Sequence, residues 1–177
     1  MFNLFKKKEG SVKVIDKVWM TQEAKWNGIL ELWKKDPSIT IIAWFDSTAR
    51  HLETLFAKET ASPASIFSAR TVPSSHLTSK KFVFAEHHPI RRKEQAVFSQ
   101  WHLNEALIYS ALDEPLFKHF GGDKIIQMMK QLGMKEDSMI EHKMVSKAIE
   151  NAQEKIEKKV ISEQDASSQQ EWIERNL

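Results

Sequence analysis

Apolar positions along the chain change period several times, and the order of those changes predicts the architecture. Thr21 stands where a helix N-cap would, with Glu23 near the positive end of the helix dipole. Trp26, Ile29, Leu30 and Trp33 then follow at i, i+3, i+4, i+7, one apolar helical stripe that Asp36-Pro37-Ser38 brings to an end. Ile39 to Phe45 is a near-continuous apolar run rich in β-branched and aromatic residues, which predicts a strand buried on both faces, as in a parallel sheet. Asp46-Ser47-Thr48 offers capping side chains to a second helix whose core face is Thr48, Leu52, Leu55 and Phe56. Ser65 to Ala69, Phe82 to Ala85 and Ala106 to Ser110 predict three further short strands. Before the last of them, Pro89 opens a helix presenting Ile90, Ala96, Val97 and Trp101.

Beyond Asp113 the pattern is helical. Asp113 is placed to cap residues 114–120, Gly121-Gly122 breaks that helix, and Asp123 is placed to cap another that ends at Leu132-Gly133. A last helix is predicted from His142 to Lys159, with Met144, Ala148, Ile149, Ala152 and Ile156 along one side. From Ile161 the composition turns polar, which predicts a loosely held tail with Trp172 and Ile173 as its only anchors. The expectation is an α/β fold with a small parallel sheet of about four strands flanked by helices and a helical C-terminal extension. Its parts are an N-terminal tail (1–15), the α/β domain (16–133), the extension (134–160) and the polar tail (161–177).

Composition narrows the function. A chain of 177 residues, 41% hydrophobic with 5 Gly and 5 Pro, has enough apolar material for one ordinary core and is neither collagenous nor low-complexity. Having no Cys excludes thiol nucleophiles, disulfide scaffolds and Cys-ligated zinc. Lys+Arg 26 against Asp+Glu 24 leaves a net charge of +2, without the basic excess of a nucleic-acid binder. No apolar run reaches the roughly 18–20 residues of a membrane span. At the start, Phe2, Leu4 and Phe5 beside Lys6, Lys7 and Lys8 reverse the order of a signal peptide and offer weak peripheral contact with an anionic membrane.

Candidate chemistry is sparse. There is no Gly-x-x-x-x-Gly-Lys-Ser/Thr loop to cradle a triphosphate, and neither Gly-x-Gly-x-x-Gly nor Gly-x-Ser-x-Gly occurs. Glu86-His87-His88 follows a predicted strand, at the edge where parallel sheets place ligands. Adjacent histidines point in divergent directions, so a turn role outranks metal ligation there and no metal is expected. Arg91-Arg92-Lys93 reads as a solvated basic cluster or a grip for an acidic partner.

The residues from Glu86 onward resemble a family. Glu-His-His-Pro-Ile-Arg-Arg-Lys-Glu-Gln at 86–95 is similar to the E-R-H-E-S-R-R-I-D-N that follows a strand in the second nucleotide-binding domain of SecA, the motor ATPase of bacterial preprotein translocation; Glu86, His88, Arg91 and Arg92 match. Ala111 to Gly121 is similar to the family's S-L-E-D-D-L-M-R-x-F-G. Glu141 to Glu157, E-H-K-M-V-S-K-A-I-E-N-A-Q-E-K-I-E, closely follows E-H-K-M-I-S-x-x-I-E-x-A-Q-x-K-V-E at the start of the family's scaffold helix. The likeness runs from about Asp16 to Glu157 and implies a RecA-like domain, shortened and degenerate.

Departures from the family pattern bear on activity. The family's R-G-R-x-G-R arginines, which reach ATP phosphates, fall here at Phe98, Gln100 and Leu103, and the N-M-A-G-R-G-T-D-I segment is missing between Arg70 and Lys80. Loss of such an arginine typically costs about 10³–10⁵ in phosphoryl-transfer rate. The resemblance therefore implies a non-catalytic, cytoplasmic interaction module for a protein partner, the translocation ATPase or its channel. It also implies no cofactor, with ATP binding not expected. The competing expectation is a nucleotide-binding or hydrolytic protein reusing the sheet edge, with Asp46, Ser47, Glu86, His88, Arg91 and Arg92 as residual nucleotide-binding residues and no catalytic residue.

Overall fold

A computed structural model describes residues 10–79 and 81–177. The α/β fold is present, and its parallel sheet has five strands in the order β1-β5-β4-β2-β3. These are β1 (Lys13–Trp19), β2 (Thr40–Ala43), β3 (Ser65–Ser68), β4 (Phe82–Phe84) and β5 (Glu105–Ala111). β1 is the strand that the apolar pattern missed, and it claims residues assigned to the N-terminal tail. Lys13, Asp16 and Lys17 break its hydrophobic run, yet Asp16 is buried because its carboxylate meets His87, 71 positions away. Polar residues that are satisfied only by a distant partner look like loop in a linear pattern.

Helices cover both faces of the sheet, and strand residues alternate between two cores. On one face α1 (Gln22–Lys35) and α2 (Asp46–Glu59) bury Ile29, Leu30, Trp33, Leu52 and Phe56 against Ile41 and Val83. Thr21 caps α1 as expected, accepting the Ala24 N–H at 3.2 Å, but Lys25 is buried beside the apolar stripe while Trp26 is only half-buried. α2 has no side-chain cap from Asp46-Ser47-Thr48; Phe45 occupies its N-cap.

The other face carries Ile42, Phe84 and Ile108 under α4 (Arg91–Gln100) and α7 (Lys143–Lys159). α4 buries Glu94 and Phe98 and leaves Ala96 exposed, a rotation from the expected face. Its cause is twofold: Phe98 packs on Phe84 with ring centroids 4.8 Å apart, and Glu94 is drawn inward by a histidine. A short α3 (Ser74–Leu77) sits in the polar stretch between β3 and β4.

After β5 come α5 (Pro115–Lys118) and α6 (Gly122–Gln131). Glu114, not Asp113, is the N-cap of α5; Gly121, at φ 85°, precedes α6 in the place given to Asp123. Next to it, a Cβ on Gly122 would lie 2.2 Å from the Leu112 carbonyl, so glycine permits this close backbone approach. His142 caps α7 by accepting the Met144 N–H at 3.1 Å. The polar segment beyond Val160 forms α8 (Gln169–Asn176), capped by Ser168, with Trp172 only 1% exposed. One buried indole thus docks a stretch whose composition reads as a loose tail. The N-terminal Phe2, Leu4, Phe5 and Lys6 to Lys8 lie outside the described residues.

Candidate functional site

β4 delivers the chain to the carboxyl edge of the sheet, and every residue from Phe82 to Ile90 is buried. The Glu86 carboxylate accepts the backbone N–H groups of Trp44 and Phe45, each at 3.1 Å, and the Thr48 hydroxyl at 2.8 Å. Glu86 therefore ties β4 to the start of α2. Burial pushes its carboxyl up to about 7, against the pull of the nearby Lys25 charge and the Thr48 bond.

His87 stands between two carboxylates, with Nε2 2.8 Å from Asp16 Oδ1 and Nδ1 3.0 Å from Glu94 Oε1. Burial alone would lower the imidazole, but the Glu94 and Asp16 carboxylates override it and hold its pKa up to about 10. Both ring nitrogens are then donors, and the imidazolium is no base near neutral pH. Asp16 in turn is held below the usual carboxylate range: burial would raise it, and the His87 bond, the His87 charge and a bond from Ser146 together outweigh that. Glu94 also accepts the His88 N–H at 2.8 Å and the Gln153 Nε2 amide at 2.9 Å, so α7 is fastened to the same knot.

His88 takes the opposite state. Its Nδ1 accepts the Ile90 N–H at 2.9 Å, and burial pushes it down to about 4, leaving a neutral ring. Its Nε2 lies 3.5 Å from Glu163, which also accepts the Trp172 indole N–H at 2.8 Å and pairs with Lys93. Gln169 donates to the His87 carbonyl at 3.1 Å and accepts the Leu116 N–H at 2.8 Å. The C-terminal segment thereby closes over the sheet edge. A second buried pair, Lys25 with Glu114, lies beside it, and Lys25 Nζ also donates to the Ala85 carbonyl at 2.7 Å.

Of the six residues proposed from sequence, Glu86 and His88 lie together in this buried edge. Arg91 pairs with Glu150 at 2.9 Å and the Arg92 N–H donates to Glu157 at 2.7 Å, so both face α7. Asp46 is exposed, and the Ser47 N–H is taken by the Ser167 carbonyl at 3.0 Å. Sequence reasoning passed over Asp16, Lys25, Glu94, Glu114 and Gln153. Their one signal was charge or amide on an otherwise apolar face. Among the described residues, no group of three or more His, Asp or Glu side chains is arranged to hold a metal ion. A cleft of about 460 Å³ does open beside the edge, between Trp44, Arg70, His88, Lys93, Gln100 and Trp101. The Trp44 indole N–H is buried with no partner.

Phe98 is fully buried. No family model matches this chain. Curated proteins do. A stretch of 49 residues, 28% of the chain, is 53% identical to protein translocase subunit SecA of Acinetobacter baumannii (strain AYE). The likeness is to SecA. The same stretch length and identity hold for the SecA subunits of Acinetobacter baylyi and Psychrobacter cryohalolentis. It amounts to 5% of each of those proteins, so this chain matches only a small fraction of SecA's length.

Proposed function

We propose that this chain is a non-catalytic SecA-like domain that serves as a protein-interaction module linked to preprotein translocation. One observation carries the reading: the sheet edge where a RecA-like domain would meet nucleotide is filled by the chain's own Glu163 and Trp172. Two facts support it. Phe98 belongs to the core, where it can stabilise no phosphoryl charge, and the polar atoms of Glu86 and His87 are spent on internal bonds. The partner on this reading is the translocation ATPase or its channel, in the cytoplasm and peripheral to the membrane. No helix among the described residues is long and apolar enough to cross a membrane.

A second reading, nucleotide recognition, is favoured by the cleft lined by Trp44, Arg70 and Lys93, where the buried Trp44 indole N–H has no partner and the two cations are paired with Asp165 and Glu163. Thermal unfolding with millimolar Mg-ATP or Mg-ADP separates the two. A ligand at 100 times its dissociation constant adds about 2.7 kcal/mol, a shift of several degrees at this size. The module reading expects no shift, together with saturable binding to purified full-length SecA. A nucleotide-dependent shift without SecA binding would replace it with the second reading.

A further inference from the structure

We infer that the groove between α6 and α7 is a docking site for an amphipathic helix of a protein partner, one carrying acidic residues beside its apolar stripe. This inference rests on the interaction-module reading and names the face that performs it. Of the eight large hydrophobic residues that stand exposed among the described residues, six fall between Ile125 and Met144. Ile125 and Met128 of α6 and Leu132 at its C-cap are exposed at i, i+3, i+7, and Leu132 and Met144 are 74% and 75% exposed. A soluble surface seldom concentrates apolar groups this way unless something covers them.

Two of these residues, Ile125 and Met144, border a groove of about 440 Å³, floored by Val18, Phe117 and Ile149 of the main core and walled by Phe120 and Ile140. Its concavity suits side chains projecting at i, i+3 or i+4, and i+7 from a helix, and methionine walls adapt to their shapes. A flat bilayer fills no such hollow. The charge specifies the partner further. Lys155 is the one charged side chain lining the groove, Lys124 stands in the first turn of α6 and Lys143 opens α7, and none of the three has an ion-pair partner among the described residues. A helix with glutamates flanking its apolar stripe meets both features.

The test uses the full chain and a synthetic helical peptide bearing Leu at i, i+4 and i+7 with Glu beside them. A twin peptide with each Glu replaced by Lys is the control, and fluorescence anisotropy is the readout. The acidic peptide is expected to bind at least about tenfold more tightly than its twin, and Met144→Glu to weaken it at least about tenfold. Ile125→Glu, a second exposed position on the groove, should do the same, with the melting temperature of each variant unchanged. Equal binding of the two peptides, no binding, variants that bind as the wild type does, or a preference for phosphatidylglycerol vesicles would overturn the inference. So would a dimer in sedimentation that Met144→Glu dissociates. Binding to purified SecA is scored separately: SecA bound with the peptide rejected defeats the groove alone, and peptide bound with SecA rejected defeats the translocation link alone.

Discussion

Replacing His87 by Gln tests whether the buried knot at the sheet edge is held by charge. In the wild type an imidazolium separates Asp16 and Glu94, and all three side chains are at most 4% exposed. Glutamine can donate to one of the two carboxylates but carries no charge. Glu94 would keep the His88 N–H and the Gln153 amide, whereas Asp16 would lose its strongest partner. Removing one partner of a buried ionic cluster costs about 3–5 kcal/mol. At about 2–4 °C per kcal/mol for this size, the melting temperature should fall by roughly 6–20 °C. The pH dependence is a sharper signature. A histidine whose folded pKa is raised from 6.5 to about 10 contributes its full stability below pH 6.5 and loses it as the pH rises through about 10. Melts followed by circular dichroism should show the gap between wild type and His87→Gln widest near pH 6 and narrowing toward pH 10. A gap that stays constant over that range, or a variant that melts within about 2 °C of wild type, would refute the charged state assigned to His87.

Lys25→Met leaves the buried Glu114 without its counter-charge and should cost about 3–5 kcal/mol in urea unfolding; adding Glu114→Leu should recover most of that loss. Trp172→Ala removes the anchor of α8 at a cost of about 3–5 kcal/mol, and cleavage by a Glu-specific protease at Glu163 should accelerate. Gly122→Ala sets a Cβ against the Leu112 carbonyl, 2.2 Å away, and 3.0 Å from the Phe117 backbone. A loss of about 1–3 kcal/mol by thermal melting is expected there, since neither neighbour is the movable end of a side chain.

Much of the fold is legible in order of sequence. The Ile39 to Phe45 run announces β2, Thr21 announces the start of α1, and Ile29, Leu30 and Trp33 give its buried side. Each of these signals is local: an apolar period or a cap acts over one or two turns. β1, the face of α4 and α8 were misjudged for the opposite reason. Asp16 and Glu94 are inward-facing carboxylates that resemble solvent-facing ones until His87 is placed between them. Trp172 sits in polar surroundings until the sheet edge receives it.

The candidate site divides along the same line. From sequence alone come Glu86 and His88 at a strand end and the likeness to SecA. Only the tertiary structure decides that Glu86 holds the α2 backbone, that His87 is an imidazolium and His88 a neutral ring, and that the chain's own C-terminus occupies the edge. Local propensity is written in neighbouring residues, whereas the charge state of a buried group depends on partners that folding brings from as far as 71 positions away.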